Sequence, residues 1–84
     1  MVQYLILCRS LTYAQKAARV LERTGITASI LRAPKALGKE GCAYCVKVSE
    51  RRLQAALTVL KNTETRVGRV YLLAPDGEIR EVSV

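Results

Sequence analysis

Apolar residues come in short blocks whose period changes along the chain, and the changes mark the elements. In residues 3–9, Tyr4, Ile6 and Cys8 occupy one alternation and Leu5 and Leu7 the other. So short a run, apolar on both sides, predicts a central strand covered on both faces. Ser10 has the side chain to cap a helix. Behind it Leu11, Ala14, Ala17, Ala18 and Leu21 recur at helical spacing, with Gln15, Lys16, Arg19, Glu22 and Arg23 opposite them. Gly25 supplies the left-handed residue that ends such a helix.

Residues 27–32 predict a second strand, with Ala28 and Ile30 on one face and Leu31 on the other; Pro34 ends it, having no N–H to donate. Residues 43–48 predict a third, with Tyr44, Val46 and Val48 turned to the core and Cys45 and Lys47 away. Ser49 is expected to cap a second helix with Glu50 in its first turn, and Leu53, Ala56, Leu57 and Leu60 form its buried stripe. Residues 66–73 read as a fourth strand, Pro75-Asp76-Gly77 as a turn, and residues 78–84 as a returning edge strand. The expected fold class is α+β: a ferredoxin-like β-α-β-β-α-β sandwich with an antiparallel sheet and a C-terminal hairpin strand. Both helices would cover one sheet face. Leu5, Leu7 and Leu31 lie on the other, which suits a second copy of the chain and makes a homodimer one expected assembly.

Composition narrows this picture. The 84 residues form one domain, residues 1–84. Such a chain buries only about 60% of its unfolded surface, so the core must be dense. Half the residues are hydrophobic, which suffices, but with no Phe or Trp the core is aliphatic with four tyrosines. Fourteen basic against seven acidic residues give a formal charge of +7. That charge suits an acidic partner, an anionic ligand or nucleic acid, and it also serves plain solubility. There is no His, which excludes imidazole acid–base catalysis, Cys–His pairs and His-ligated metals. Three cysteines do not make an even disulfide set. The first apolar run has no basic leader and is too short for a signal core or a membrane span. A cytoplasmic protein with reduced thiols and no membrane association is expected.

The longest irregular stretch, residues 32–46, holds Cys42 and Cys45 together with Arg32, Lys35, Lys39, Gly38 and Gly41. In the expected topology strand one ends where helix one begins, and the loop between strands two and three lies at that same end. Cys42 would then sit near Arg9, Ser10 and the leading turn of helix one, with Lys61 and Arg66 arriving from the end of helix two. A helix N-terminus offers free amides and positive potential to an anion. A thiol there, near Arg9, Arg32, Lys35 and Lys39, is held ionised, while Gly38 and Gly41 let a partner's backbone approach. Cys42 is therefore the candidate reactive residue, although most half-buried cysteines at a strand start only pack. Cys8 and Cys45 lie inside apolar strands and are expected to be structural, with Cys45 the possible second thiol.

Cys42 and Cys45 are spaced as C-x-x-C, which in a helix or tight turn makes a redox pair or half a zinc site. If residues 43–45 are extended, their Cα atoms stand about 10 Å apart at roughly 3.3 Å per residue, whereas a disulfide needs less than about 7 Å. Only Cys8 remains as a third thiolate ligand, so neither a metal nor another cofactor is expected.

Three segments carry a resemblance: Tyr4-Leu-Ile-Leu-Cys-Arg-Ser10, then Ala14-Gln-Lys-Ala-Ala-Arg-Val-Leu-Glu-Arg-Thr-Gly-Ile26, then Arg32-Ala-Pro-Lys35 with Gly41-Cys42. Over residues 3–72 the chain resembles the selenium/sulfur carrier-like domain family of small bacterial proteins. The resemblance implies a ferredoxin-like fold and a carrier of sulfur or selenium bound through Cys42. Two features depart from the family pattern: Ala43 stands where a Gly usually follows the cysteine, and Cys45 is an added thiol. On this reading Arg9, Ser10, Arg32, Lys35, Lys39 and Gly41 form the binding surround, a partner protein donates or accepts the atom, and there is no turnover as an enzyme. The alternatives are a small regulatory or protein-interaction domain, a thiol–disulfide oxidoreductase, and a nucleic-acid-binding module. The last is disfavoured: base-stacking sheets need exposed aromatics at adjacent strand centres. Only Tyr4, Tyr13, Tyr44 and Tyr71 exist, and Tyr44 faces the core.

Overall fold

A computed structural model describes residues 2–33, 44–65 and 67–82. The elements are β1 (Gln3–Cys8), α1 (Leu11–Arg23), β2 (Ser29–Arg32), β3 (Tyr44–Ser49), a 3-10 turn (Glu50–Arg52), α2 (Leu53–Asn62), β4 (Val70–Leu73) and β5 (Ile79–Val82). The sheet has the order β2-β3-β1-β4-β5 and is antiparallel throughout. This is the ferredoxin-like α+β architecture expected from the sequence, with β5 added as the hairpin strand. No helix among the described residues is long and apolar enough to cross a membrane.

The sheet's alternation sorts the core into two clusters. Tyr4, Ile6, Cys8, Tyr44, Val46, Val48 and Val70 pack on the helix side against Ala14, Ala17, Leu21, Leu53, Ala56 and Leu60. Leu5, Cys45 and Tyr71 form a smaller cluster on the other side, flanked by Leu7, Leu31, Ala33, Leu73 and Ile79. Leu5 and Cys45 are 1% and 0% exposed in the single chain, so neither needs a second copy to be buried.

Three boundaries differ from the expectation. Ser49 does not cap α2: its side chain makes no capping bond, and α2 starts at Leu53 after the 3-10 turn. Ser49 is still in the ladder, opposite Gln3. Alternation puts its side chain on the face away from the helices, out of reach of the next turn's amides. The regular ladder of the fourth strand starts at Val70 rather than at residue 66. Leu7 receives its partners from two residues there, donating to the Arg69 carbonyl at 2.9 Å and accepting from the Gly68 amide at 2.6 Å. Two residues against one is the pattern of a bulge. A side chain at Gly68 would bring a Cβ to 3.0 Å from the Leu7 oxygen, so the close approach selects glycine. β2 is shorter than residues 27–32, beginning at Ser29.

Both helices end in the same hydrogen-bond motif with different residues in its left-handed position. At the end of α1 the Ile26 amide bonds the Leu21 carbonyl and the Gly25 amide bonds that of Glu22, each at 3.0 Å. Gly25 has φ +81°. At the end of α2 the Thr65 amide bonds the Leu60 carbonyl and the Glu64 amide that of Lys61. Glu64 occupies the left-handed position there, with φ +56°. An L-residue with a Cβ pays roughly 1–2 kcal/mol in that conformation. Glu64→Gly is therefore expected to raise the unfolding free energy by about 0.5–1 kcal/mol, and Gly25→Ala to lower it by about 1 kcal/mol. Urea unfolding of the two variants checks the opposite signs.

Candidate functional site

At one end of the sheet three strands line up across a single row: Arg32 of β2 opposite Tyr44 of β3, and Tyr44 opposite Cys8 of β1. The Arg32 guanidinium lies over the Tyr44 ring, 6.0 Å from its centre, at the outer reach of a cation–π contact. The segment that contains Lys35, Lys39, Gly41 and Cys42 lies between β2, which ends at Arg32, and β3, which begins at Tyr44. Those four residues, and Arg66, lie outside the described residues. The two ends of the segment are described, and both are at the end of the sheet where β1 gives way to α1.

Ser10 caps α1 as expected. Its backbone is extended, its carbonyl accepts the first helical bond from Ala14 at 3.0 Å, and its hydroxyl accepts from the Tyr13 amide at 3.4 Å. The amides of Leu11 and Thr12 are left without a partner among the described residues. No acidic residue stands in the first turn to offset the helix's positive end. Arg9 and Arg32 are exposed, and neither is within salt-bridge distance of a described carboxylate. Lys61 closes α2, and Arg69, next to the bulge, is paired with Glu81 at 3.6 Å. Arg9, Ser10 and Arg32 thus share one end of the fold. The Arg32–Tyr44 stack was not anticipated from the sequence; its only signal there is a cation and an aromatic flanking the two ends of one loop.

The two described cysteines are on opposite sides of the sheet, and both are sealed. Cys8 is 1% exposed on the helix side, with its thiol directed to the Ile6 carbonyl at 3.7 Å. Cys45 is 0% exposed in the smaller cluster. Burial pushes the Cys8 thiol up to about 11, with the neighbouring Cys45 adding to the rise, and burial pushes Cys45 up to about 11 as well. At pH 8 such a thiol is ionised in only about one molecule in a thousand, and the thiolate is the nucleophile. Both are free. Cys45 sits one residue inside a regular strand, the extended geometry that works against a disulfide with its C-x-x-C neighbour.

Residues 3–72 match the model of the family described as "Putative Se/S carrier protein-like". The chain belongs to that family. It matches no curated protein and no solved structure. The match runs from β1 through most of β4 and includes the segment between β2 and β3. Of the chain's three thiols, the two that are described are buried and protonated at neutral pH.

Their burial has a consequence for stability. The folded-state values stand near 11, well above the range of about 8.5–9 for an unperturbed thiol. As the pH rises through 9 the unfolded chain sheds these protons and the folded chain keeps them. The contribution is therefore complete below pH 9 and lost toward pH 11, at no more than about 1.4 kcal/mol per pH unit for each thiol. Urea midpoints from pH 8 to 11 are expected to fall more steeply for the wild type than for Cys8→Ala/Cys45→Ala. Equal slopes would mean that these thiols ionise in the folded protein.

Proposed function

We propose that the protein carries sulfur or selenium on Cys42 and passes it between partner proteins, with no turnover of its own. One observation carries the reading: the other two thiols are sealed in the two clusters of the sheet. The carrier role of a Se/S carrier-like chain therefore falls to Cys42. The position of its segment's two ends supports this, since Ala33 and Tyr44 flank the end of the fold that bears Arg9, Arg32 and the Leu11 and Thr12 amides, which have no partner among the described residues.

In this reading the Cys42 thiolate attacks the outer sulfur of a persulfide on the donor. A new S–S bond forms at Cys42, the donor's S–S bond breaks, and the donor's cysteine leaves as a thiolate. Delivery is the reverse: an acceptor thiolate takes the outer sulfur and Cys42 leaves. Arg9, Arg32, Lys35 and Lys39 hold the thiolate and the persulfide anion. Gly41 admits the partner's backbone. Cytoplasmic residence fits a thiol that must stay reduced. A base-stacking role is disfavoured: Tyr71 is the tyrosine on the sheet's open face, and it is 8% exposed.

The test is mass spectrometry after incubation with a persulfide-bearing cysteine desulfurase. One added sulfur on the wild type, absent in Cys42→Ala and retained in Cys8→Ala and Cys45→Ala, is the expected result. Labelling that survives in Cys42→Ala overturns the assignment. The pH dependence of Cys42 alkylation is expected to give a midpoint below about 8.5, the free-thiol value, rising in Arg9→Gln.

A further inference from the structure

The open face of the sheet is apolar over most of its area, with Leu7, Leu31 and Cys45 at the Cys8 end and Leu5, Tyr71, Leu73 and Ile79 on the side of β4 and β5. The corner where β2 and β1 begin and β3 ends is different. There the same alternation brings up Ser29 opposite Lys47, and Gln3 opposite Ser49. Here the strands carry polar side chains in positions that are aliphatic a few residues away. Together with Thr27 and Arg52 they line a cleft of about 230 Å³.

The lining has the chemistry of an anion site. Lys47 and Arg52 bring two positive charges, while Gln3, Thr27, Ser29 and Ser49 bring side-chain N–H and O–H donors. No acidic residue is among the lining. Six of the seven acidic residues are described, and none lies within salt-bridge distance of Lys47 or Arg52. Lys47 is half-buried in the middle of a strand and has no carboxylate beside it among the described residues. The end of α1 borders the cleft at Gly25, but the Leu21 and Glu22 carbonyls are already bonded to the amides of Ile26 and Gly25. Those acceptors are not left to repel an anion.

We infer that this cleft binds a small tetrahedral oxyanion of the phosphate or sulfate kind, free or as the terminal group of a larger ligand. Arg52 supplies the planar fork that pairs two oxygens at once, Lys47 a compact charge beside it, and the hydroxyls satisfy the remaining oxygens. The site is at the opposite end of the sheet from the Arg32–Tyr44–Cys8 row, so it stands or falls independently of the carrier reading.

Amide chemical shifts of the isotope-labelled protein are followed while sodium phosphate is added, against sodium chloride at matched ionic strength. Saturable shifts at Ser29, Lys47 and Ser49 with phosphate alone are expected. Lys47→Gln and Arg52→Gln should each weaken the affinity about tenfold, the usual cost of one charge-assisted bond. Ser49→Glu, which places a carboxylate in the floor, should abolish it. A parallel titration with glycerol 3-phosphate separates the sources: tighter binding than inorganic phosphate assigns the cleft to a phosphomonoester, and equal or weaker binding to the free ion. Shifts that do not saturate, that chloride reproduces, or that persist unchanged in Ser49→Glu overturn the inference.

Discussion

Everything at both ends of this sheet depends on the register of β1 against β3. Tyr4 stands opposite Val48, Ile6 opposite Val46 and Cys8 opposite Tyr44. Strand side chains alternate with a period of two, so a slip of β1 by one residue would turn its side chains to the other face. Ile6 and Cys8 would leave the helices, and Leu5 and Leu7 would take their place. The register is held by burial, since Leu5, Ile6, Cys8, Cys45, Val46 and Val48 are all 1% exposed or less. β1 stands in the centre of the sheet, and burying these six side chains from water is what favours this pairing.

That register also distributes the chemistry. It separates Cys8 from Cys45 by the thickness of the sheet and sinks both into aliphatic surroundings, where a thiol is inert. It brings Arg32 beside Tyr44 and both beside the end of β1. The basic residues are spread over both ends: Arg9, Arg32 and Lys61 at one, Lys47 and Arg52 at the other. Among the described residues the ion pairs, Arg69 with Glu81 and Arg80 with Glu78, both involve the C-terminal hairpin. The excess positive charge of the chain thus lies outside the C-terminal hairpin, where residues 69–82 hold two basic and three acidic side chains.

Much of this was legible in the sequence because the local signals agreed with one another. The unbroken run Tyr4-Leu-Ile-Leu-Cys8 identified the central strand, Ser10 and Gly25 bracketed α1, and alternation assigned Val46 and Val48 to the helix side and Cys45 to the other. Ser49 misled because a Ser before a Glu has the composition of a cap, while its role was decided by pairing with Gln3, a contact distant in sequence. The early start assumed for the fourth strand failed at Gly68, where a bulge against Leu7 interrupts the ladder; a glycine in a strand pattern was the available hint. The polar cleft was not legible, since Gln3, Thr27, Ser29, Lys47 and Arg52 come from four separate segments that only the folded topology assembles. For the thiol site, sequence and topology agree on the ends of the segment, because the order of strands puts the end of β2 and the start of β3 beside the end of β1.

The pairing of Arg32 with Tyr44 closes the β2–β3 hairpin from outside, before the segment carrying Cys42 begins. The closure does not depend on how many residues are spliced in between, and doubling such a connection costs only about 0.6 kcal/mol in chain entropy. The strand pairing beneath the candidate thiol thus stands on its own register, and what joins Ala33 to Tyr44 is asked only to span the gap between two neighbouring strands.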